Sequence, residues 1–195
     1  MPSIKKVFRL KKMNFIPTNL DGCYIIESKV FTDERGYFME SFNETTFQKG
    51  VGQEVNFVQD NQSFSTQGVL RGLHYQRGAH SQAKLVRVLS GEVLDVAVDI
   101  RPESPTYGQH FSVVLSGKKN NQLFVPRGFA HGFLVLSESA VFFYKCDNYY
   151  DKASEGGIIY NDKSLAIDWH LNNQNLIISE KDQQLPSFSN ALQIW

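Results

Sequence analysis

The sequence has few cysteines and no apolar run long enough to cross a membrane. Only Cys23 and Cys146 occur among 195 residues, and their separation is not that of a metal-binding motif. A secreted chain of this size would often carry more cysteines, so we expect two reduced thiols and a cytoplasmic location. The roughly 20 consecutive apolar residues of a membrane-spanning helix are also missing, so no membrane partner is expected.

An excess of charge of either sign is also absent. The chain has 20 Lys and Arg residues and 20 Asp and Glu residues, so its formal charges cancel. Domains that bind DNA or RNA usually present a basic surface, and nucleic acid is therefore not expected as a partner. A small anionic ligand held by a few local Arg and Lys side chains is still compatible. Hydrophobic residues make up 42% of the chain, enough for one domain with a sizeable core.

The first twelve residues, MPSIKKVFRLKK, differ from the rest of the chain because they contain five basic residues and no acidic one. A signal peptide needs a longer apolar stretch after its charges. We interpret residues 1–12 as a basic, disordered N-terminal extension, with Met13 as an alternative start, and residues 13–195 as a single domain. A basic amphipathic membrane anchor is the alternative interpretation of the extension.

Beyond the extension, the hydrophobic pattern has a period of two, which indicates β-strands. The segment VLDVAVDI (93–100) places four aliphatic residues on one face and both Asp95 and Asp99 on the other. The pair Ser90-Gly91 before it is a turn signal, and residues 84–89 are predicted to pair with it in a hairpin.

Other short strands are predicted at residues 22–29, 56–64, 111–115, 122–125, 132–136 and 140–149, with turn-rich sequence between them. Only residues 44–49 and 162–167 are predicted as short helices. This pattern is typical of an all-β sandwich or barrel. The polar tail from about residue 171 is expected to pack on the outside of the barrel.

The stretch GVLRGLHYQRGAHSQAKLVRVLSGEV (68–93) places Arg71, His74 and Lys84 on strand-like sequence. An isolated histidine of this kind is often a buried residue with backbone partners. Several polar side chains in one barrel are costly to bury unpaired, however, and His131 follows a similar turn-to-strand entry. We therefore predict that these residues line a polar cavity with a chemical role.

A metal site is one interpretation of such a cavity. Small β-barrels often bind zinc or iron through two histidines at positions i and i+2 of one strand, but the residue two after His74 is Gln76. The charge of Lys84 would also disfavour a divalent cation nearby. We predict no metal and no cofactor, and a metal-dependent enzyme of this barrel type stays open as an alternative.

Without a metal, the same residues suit proton transfer. A neutral His74 is the natural general base near pH 7, and a carboxylate on its far nitrogen would fix its tautomer. Lys84 could stabilise an enolate formed when a carbon next to a ketone loses its proton. Inversion of a stereocentre needs a second group on the other face, and a tyrosine from FFYKCDNYY (142–150) suits this role. An aromatic core or rim is the alternative interpretation of these tyrosines.

Eight sequence blocks carry a resemblance that covers nearly the whole chain from Met13 to about Pro186. The blocks are DERGYFME (33–40), FVQDN (57–61), GVLRGLHYQ (68–76), QAKLVRV (82–88), PRGFAHGF (126–133), YKC (144–146), YY (149–150) and SEKD (179–182). Together and in this order, they resemble the dTDP-4-dehydrorhamnose 3,5-epimerases, which are sugar-nucleotide epimerases of the cupin fold. The resemblance implies a cupin-type jelly-roll β-barrel or sandwich with a few short helices.

The resemblance also implies a role for each matching position. His74 is implied as the base that removes the C5 and C3 protons beside the C4 ketone, with Asp182 as its carboxylate partner. Tyr144 is implied as the acid on the opposite face, and Lys84 as the cation that faces the enolate. The implied substrate-binding positions are Arg35, Glu40, Gln59, Asp60, Asn61, Arg71, His131, Tyr150, Glu155 and Lys181. Arginine suits the diphosphate and Tyr150 suits stacking on thymine.

The implied reaction converts dTDP-4-dehydro-6-deoxy-D-glucose to dTDP-4-dehydro-L-rhamnose, in dTDP-L-rhamnose biosynthesis. Because some contacts in this family come from the partner subunit, a homodimer is also implied. Two alternatives stay open: an enzyme that inverts C3 only, and a non-catalytic barrel that binds a nucleotide sugar. The non-catalytic barrel would need Arg35, Arg71 and Tyr150 but would have no use for Tyr144 or Asp182.

Overall fold

A computed structural model describes residues 13–170 and 175–191, so the predicted basic extension lies outside the described residues. The strands are β1 Asn14–Pro17, β2 Tyr24–Glu27, β3 Val30–Asp33, β4 Gly36–Met39, β5 Gln59–Thr66, β6 Leu70–Gln76, β7 Lys84–Ser90, β8 Glu92–Asp99, β9 His110–Ser116, β10 Asn121–Val125, β11 Phe129–Val135, β12 Ser139–Cys146 and β13 Glu155–Gly157. The α-helices are α1 Glu44–Val51 and α2 Glu180–Gln183. Within these ranges, no helix has the length and hydrophobicity needed to span a bilayer.

Two antiparallel sheets form the jelly-roll sandwich that the sequence predicts. One sheet has six strands in the order β1-β2-β10-β7-β12-β5, and the other has five in the order β13-β6-β11-β8-β9. Strands β3 and β4 form a separate hairpin around a turn at residues 33–36. The fold is therefore all-β and cupin-like, and neighbours along the chain often lie in different sheets.

The core between the two sheets is apolar and draws side chains from both. Val86 and Phe142 come from the six-stranded sheet, and Phe133 comes from the five-stranded sheet; the rings of Phe133 and Phe142 stack at 4.2 Å. Strand β8 is buried on both faces, because its other face packs against Leu165 and Trp169. The described part of the tail packs on this outer surface of the five-stranded sheet, as predicted.

Helix α1 covers part of the outer face of the six-stranded sheet and confirms the helix predicted at residues 44–49. The side chain of Asn43 caps its first turn by accepting a hydrogen bond from the backbone N–H of Thr46 at 3.0 Å. Gly52, with a φ of 74°, ends the helix in the left-handed conformation that glycine adopts without strain. The fully buried Phe47 packs its ring edge-on against Phe124 of β10.

The predicted hairpin of residues 84–89 with 93–100 is wrong. Strand β7 pairs with β10 and β12, whereas β8 pairs with β9 and β11, so the two strands belong to opposite sheets. The turn at Gly91 exists, but it carries the chain from one sheet to the other. Both strands are buried and short, and a local pattern of alternation does not report which sheet a strand joins.

The helix predicted at residues 162–167 is also wrong, since this segment is a single turn. The backbone N–H of Ala166 bonds to the carbonyl oxygen of Asp162, but Ala166 then adopts a φ of 47°. The carboxylate of Asp162 accepts hydrogen bonds from the backbone N–H groups of Ser164, Leu165 and Phe188. An aspartate that binds nearby backbone groups favours a turn over a continuing helix.

Candidate active site

A cavity of about 670 Å³ lies between the sheets and brings together many of the predicted site residues. Its walls come from β5, β6, β7, β11 and β12 and from the segment that leads into α2. The predicted residues that line it are Asn61, Arg71, His74, Lys84, His131, Tyr144, Lys181 and Asp182. The prediction that Arg71, His74 and Lys84 line one cavity is therefore confirmed.

A bulge in β6 allows Arg71 and His74 to line the same cavity. Residues three apart in a regular strand point to opposite faces of the sheet. Here His74 pairs with His131, but Arg71 pairs with Phe133, so β6 has one residue more than β11 between the two pairs. Gly72 lies at this extra position with a φ of 121°. A Cβ there would lie 2.8 Å from the carbonyl oxygen of His131, so the bulge requires glycine.

His74 and Asp182 form a hydrogen-bonded pair at the edge of the cavity. The Nε2 atom of His74 lies 2.8 Å from Oδ1 of Asp182, which is buried. The other carboxylate oxygen accepts the backbone N–H of Gly72 at 3.2 Å, and Ser179 caps the turn that carries Asp182.

The environment keeps the Asp182 carboxylate ionised. Burial pushes the pKa of Asp182 upward, but its hydrogen bonds from His74, Gly72 and Ser179 and the charge of His74 outweigh that effect and hold this pKa below its usual value. An ionised carboxylate can only accept a hydrogen bond, so the proton of a neutral His74 ring is held on Nε2. Its Nδ1 atom is then free to act as a base.

Tyr144 lies on β12, in the opposite sheet from His74, and lines the same cavity. Burial raises the pKa of its phenol, the nearby Cys146 adds to this shift, and the charge of Arg71 opposes it. The phenol therefore stays protonated at neutral pH. In this form it can donate a proton to a ligand bound between the two sheets.

Lys84 supplies a positive charge inside the cavity. Its Nζ atom lies 6.0 Å from the centre of the Tyr144 ring, and it makes no ion pair with any described residue. Burial lowers the pKa of Lys84, while the charges of Cys146, Asp95 and Glu155 oppose that shift. A half-buried cation with no carboxylate partner among the described residues is ready to interact with negative charge on a ligand.

A second, connected opening of about 280 Å³ joins His74 and Tyr144 to a polar rim. Tyr150 donates its hydroxyl to Oε2 of Glu155 at 3.1 Å, and Lys181 places Nζ 2.6 Å from the same oxygen. Gln59 accepts the backbone N–H of Tyr150 at 3.3 Å. One hydrogen-bonded group beside the cavity therefore contains four of the predicted binding positions: Gln59, Tyr150, Glu155 and Lys181.

Three predicted binding positions line neither the cavity nor the connected opening within this chain. Arg35 lies in the turn between β3 and β4, where its exposed side chain pairs with Asp33. Glu40 follows the same hairpin and accepts a hydrogen bond from the side chain of Asn43. Asp60 points to the outer face of β5 and pairs with Lys145 at 2.9 Å.

The position that would hold a second metal ligand carries Gln76, which is buried and accepts the backbone N–H of Asp151 at 3.0 Å. Among residues 13–170 and 175–191, no three His, Cys, Asp or Glu side chains are arranged to hold a metal ion. The structure also contains a second histidine–aspartate contact, between His131 and Asp95, which the sequence analysis missed. The sequence signal for it was the position of Asp95 between the apolar residues Leu94 and Val96 of a predicted strand.

Comparisons with known proteins agree on one family. The family described as dTDP-4-dehydrorhamnose 3,5-epimerase matches residues 17–190. A relative of that name from Shigella flexneri is 54% identical over 179 residues, which cover 92% of this chain and 98% of the relative.

Solved structures give the same result. The crystal structure of dTDP-4-dehydrorhamnose 3,5-epimerase from Elizabethkingia anophelis NUHP1 matches with a TM-score of 0.89 and 54% identity, over 92% of this chain and 98% of that chain. A dTDP-6-deoxy-D-glucose-3,5-epimerase from Legionella pneumophila Philadelphia 1, solved in complex with dTDP-4-keto-L-rhamnose, matches with a TM-score of 0.88 and 52% identity, over 91% and 94% of the two chains.

Proposed function

The chain belongs to the dTDP-4-dehydrorhamnose 3,5-epimerase family, and we propose that His74 and Tyr144 perform its chemistry from opposite sides of the substrate. Its reaction is the epimerisation of dTDP-4-dehydro-6-deoxy-D-glucose at C3 and C5, which gives dTDP-4-dehydro-L-rhamnose for dTDP-L-rhamnose biosynthesis. The observation that supports these roles is the single cavity that both side chains line from opposite sheets.

The proposed chemistry is a pair of proton transfers at each carbon. Nδ1 of His74 takes the proton from C5, and the electron pair of the broken C–H bond moves into the C4 carbonyl to form an enolate. Lys84 stabilises the negative oxygen, while Asp182 stabilises the imidazolium that forms. Tyr144 then returns a proton to C5 from the other face. His74 loses its proton to solvent and Tyr144 regains one before the same steps occur at C3.

The remaining positions serve to hold the nucleotide. Arg71 lines the cavity and has only Ser65 as a hydrogen-bond partner among the described residues, so its guanidinium group is available to bind diphosphate. Tyr150 is 53% exposed at the rim, where its ring can stack on thymine. The proposed binding surface is completed by five further predicted positions: Gln59, Asn61, His131, Glu155 and Lys181.

Arg35 and Glu40 lie off the cavity of their own chain, and the homodimer offers them a role. The β3–β4 hairpin exposes Tyr37 by 57% and Phe38 by 68%, and the edge strand β5 exposes Phe64 by 64%. Exposed apolar surface of this kind marks an interface. In the proposed dimer, this surface is buried and the hairpin delivers Arg35 and Glu40 to the partner's cavity. Asp60 stays a predicted binding position.

Solvent deuterium exchange tests this function directly. In deuterated buffer, the enzyme is expected to place deuterium at both C3 and C5 of the keto-sugar, and NMR of the product should show two inverted centres. Exchange and inversion at C3 alone would instead support a C3-only epimerase. Tight binding of the dTDP-sugar without exchange at either carbon would overturn the proposal in favour of a binding protein.

We place the enzyme in the cytoplasm, and cell fractionation checks this.

A further inference from the structure

Asp95 is a buried carboxylate whose only hydrogen-bond partner among the described residues is a histidine of the cavity. It lies in the middle of β8, and its side chain is completely buried beside the apolar core between the sheets. Nε2 of His131 lies 3.0 Å from each of its two oxygens. Burying an ionised group is costly, so a carboxylate retained in this place calls for a specific role.

His131 is also the direct neighbour of the proposed base. The pairing of β6 with β11 sets His131 opposite His74, and both side chains line the cavity. Each ring contacts a carboxylate through its Nε2 atom: His74 contacts Asp182, and His131 contacts Asp95. The cavity therefore contains two neighbouring imidazoles, each oriented by its own buried aspartate.

Asp99 shows that Asp95 is not simply one of two structural aspartates. Asp99 lies on the same strand and the same face, and it is equally buried. Its carboxylate bonds to Arg101, Ser104 and Thr106, which fixes the turn after β8. Asp95 lies within the strand and has no such turn to stabilise. Among the described residues, its carboxylate bonds only to His131 of the cavity.

We propose that Asp95 is a positioning residue for the epimerase reaction: it accepts the Nε2–H of His131 and leaves Nδ1 to accept a hydrogen bond from a hydroxyl of the sugar ring. This inference rests on the proposed function. Nδ1 of His131 has no hydrogen-bond partner among the described residues, so the position is available to a ligand.

Charged and titratable groups from several strands face the cavity around His131. Asp95 of β8 contacts its Nε2 atom, and Lys84 of β7 lines the same cavity and makes no ion pair with any residue that the structure describes. The other titratable groups that line the cavity are Arg71 and His74 of β6, the protonated Tyr144 of β12, and Lys181 and Asp182 of α2. The proposed role uses the neutral form of His131, which keeps one ring nitrogen as a hydrogen-bond acceptor. The neutral ring then has a fixed tautomer, since the carboxylate can only accept.

Nitrogen NMR of the ligand-free enzyme tests the tautomer. In protein labelled with ¹⁵N-histidine, the His131 signals, assigned with His131→Gln, are expected to show the proton on Nε2. In Asp95→Asn, the amide can turn its NH₂ group toward Nε2, so the proton is expected to move to Nδ1. The same variant should lose about tenfold to a hundredfold in kcat/KM, mostly through kcat, while its affinity for dTDP stays unchanged.

Asp99→Asn is the matched control. It removes an equally buried carboxylate from the same face of β8, so it should lower stability but leave the His131 signals in place. Asp95→Asn should also add no further loss to His131→Gln, because Asp95 acts only through that ring. A wild-type His131 protonated on Nδ1, or an Asp95→Asn variant with unchanged signals, would overturn the inference. Because the NMR measurement uses no substrate, it is independent of whether the proposed epimerase activity is found.

Discussion

Nε2 of His74 lies 2.8 Å from Oδ1 of Asp182, although 108 positions separate the two residues in the sequence. His74 is held by the bulged strand β6, whereas Asp182 comes from the short helix α2 near the end of the described chain. Within the same bulge, the backbone N–H of Gly72 donates a hydrogen bond to Oδ2 of Asp182. The bulge in β6 therefore holds both the proposed base and the carboxylate that orients it. A change in the bulge should affect the positions of both side chains.

Replacing Asp182 with asparagine should remove most of the activity while the protein stays folded. The amide can present a donor to Nε2 of His74, which would favour the tautomer that has its proton on the catalytic Nδ1. We expect kcat to fall by about 10²–10⁴-fold, the range found for loss of general-base function. Steady-state kinetics measures the loss, and Asp168→Asn is the control because that exposed aspartate pairs with His170 instead. Equal losses in both variants would contradict the role of Asp182.

Tyr144→Phe should separate removal of the proton from its return. Because His74 still forms the enolate, solvent deuterium should continue to enter the substrate, but inversion should fall by about 10²-fold or more. NMR that follows exchange and configuration in the same sample checks this. Tyr149→Phe removes the hydroxyl of a tyrosine that is 64% exposed, and it should behave as wild type. A Tyr144→Phe enzyme that inverts at the normal rate would rule out the phenol as the acid.

The sequence was sufficient to predict most strands, because alternation of apolar residues is a local property. It could not predict which sheet each strand joins, and so the hairpin of β7 with β8 was wrong. The position of Asp182 beside His74 came from the family resemblance, since no local pattern connects residues so far apart. The contact of Asp95 with His131 was missed for the same reason: it depends on the register of β8 with β11.

Gly72→Ala should damage both stability and activity. The new Cβ would lie 2.6 Å from the Cα of Gly132 and 2.8 Å from the carbonyl oxygen of His131, at a φ of 121°. Gly36→Ala is a matched control, because Gly36 has a φ of 124° but no atom within 4 Å of the added Cβ. We expect Gly36→Ala to cost about 1 kcal/mol and Gly72→Ala about 1–3 kcal/mol more. Urea unfolding measures both, and equal costs would show that the close approach of β6 and β11 is unimportant.

Phe38→Ser should weaken the proposed dimer and reduce activity together. Phe38 is 68% exposed on the β3–β4 hairpin, so its loss should leave the fold of the single chain intact. The variant is expected to shift toward monomer in light scattering at low concentration, with a KM for the nucleotide sugar that rises because Arg35 and Glu40 no longer reach the partner's cavity. Tyr107→Ser serves as the control, since this 47% exposed aromatic contacts Phe188 of the tail, away from the hairpin. A Phe38→Ser protein that remains dimeric with unchanged KM would exclude the hairpin from the interface.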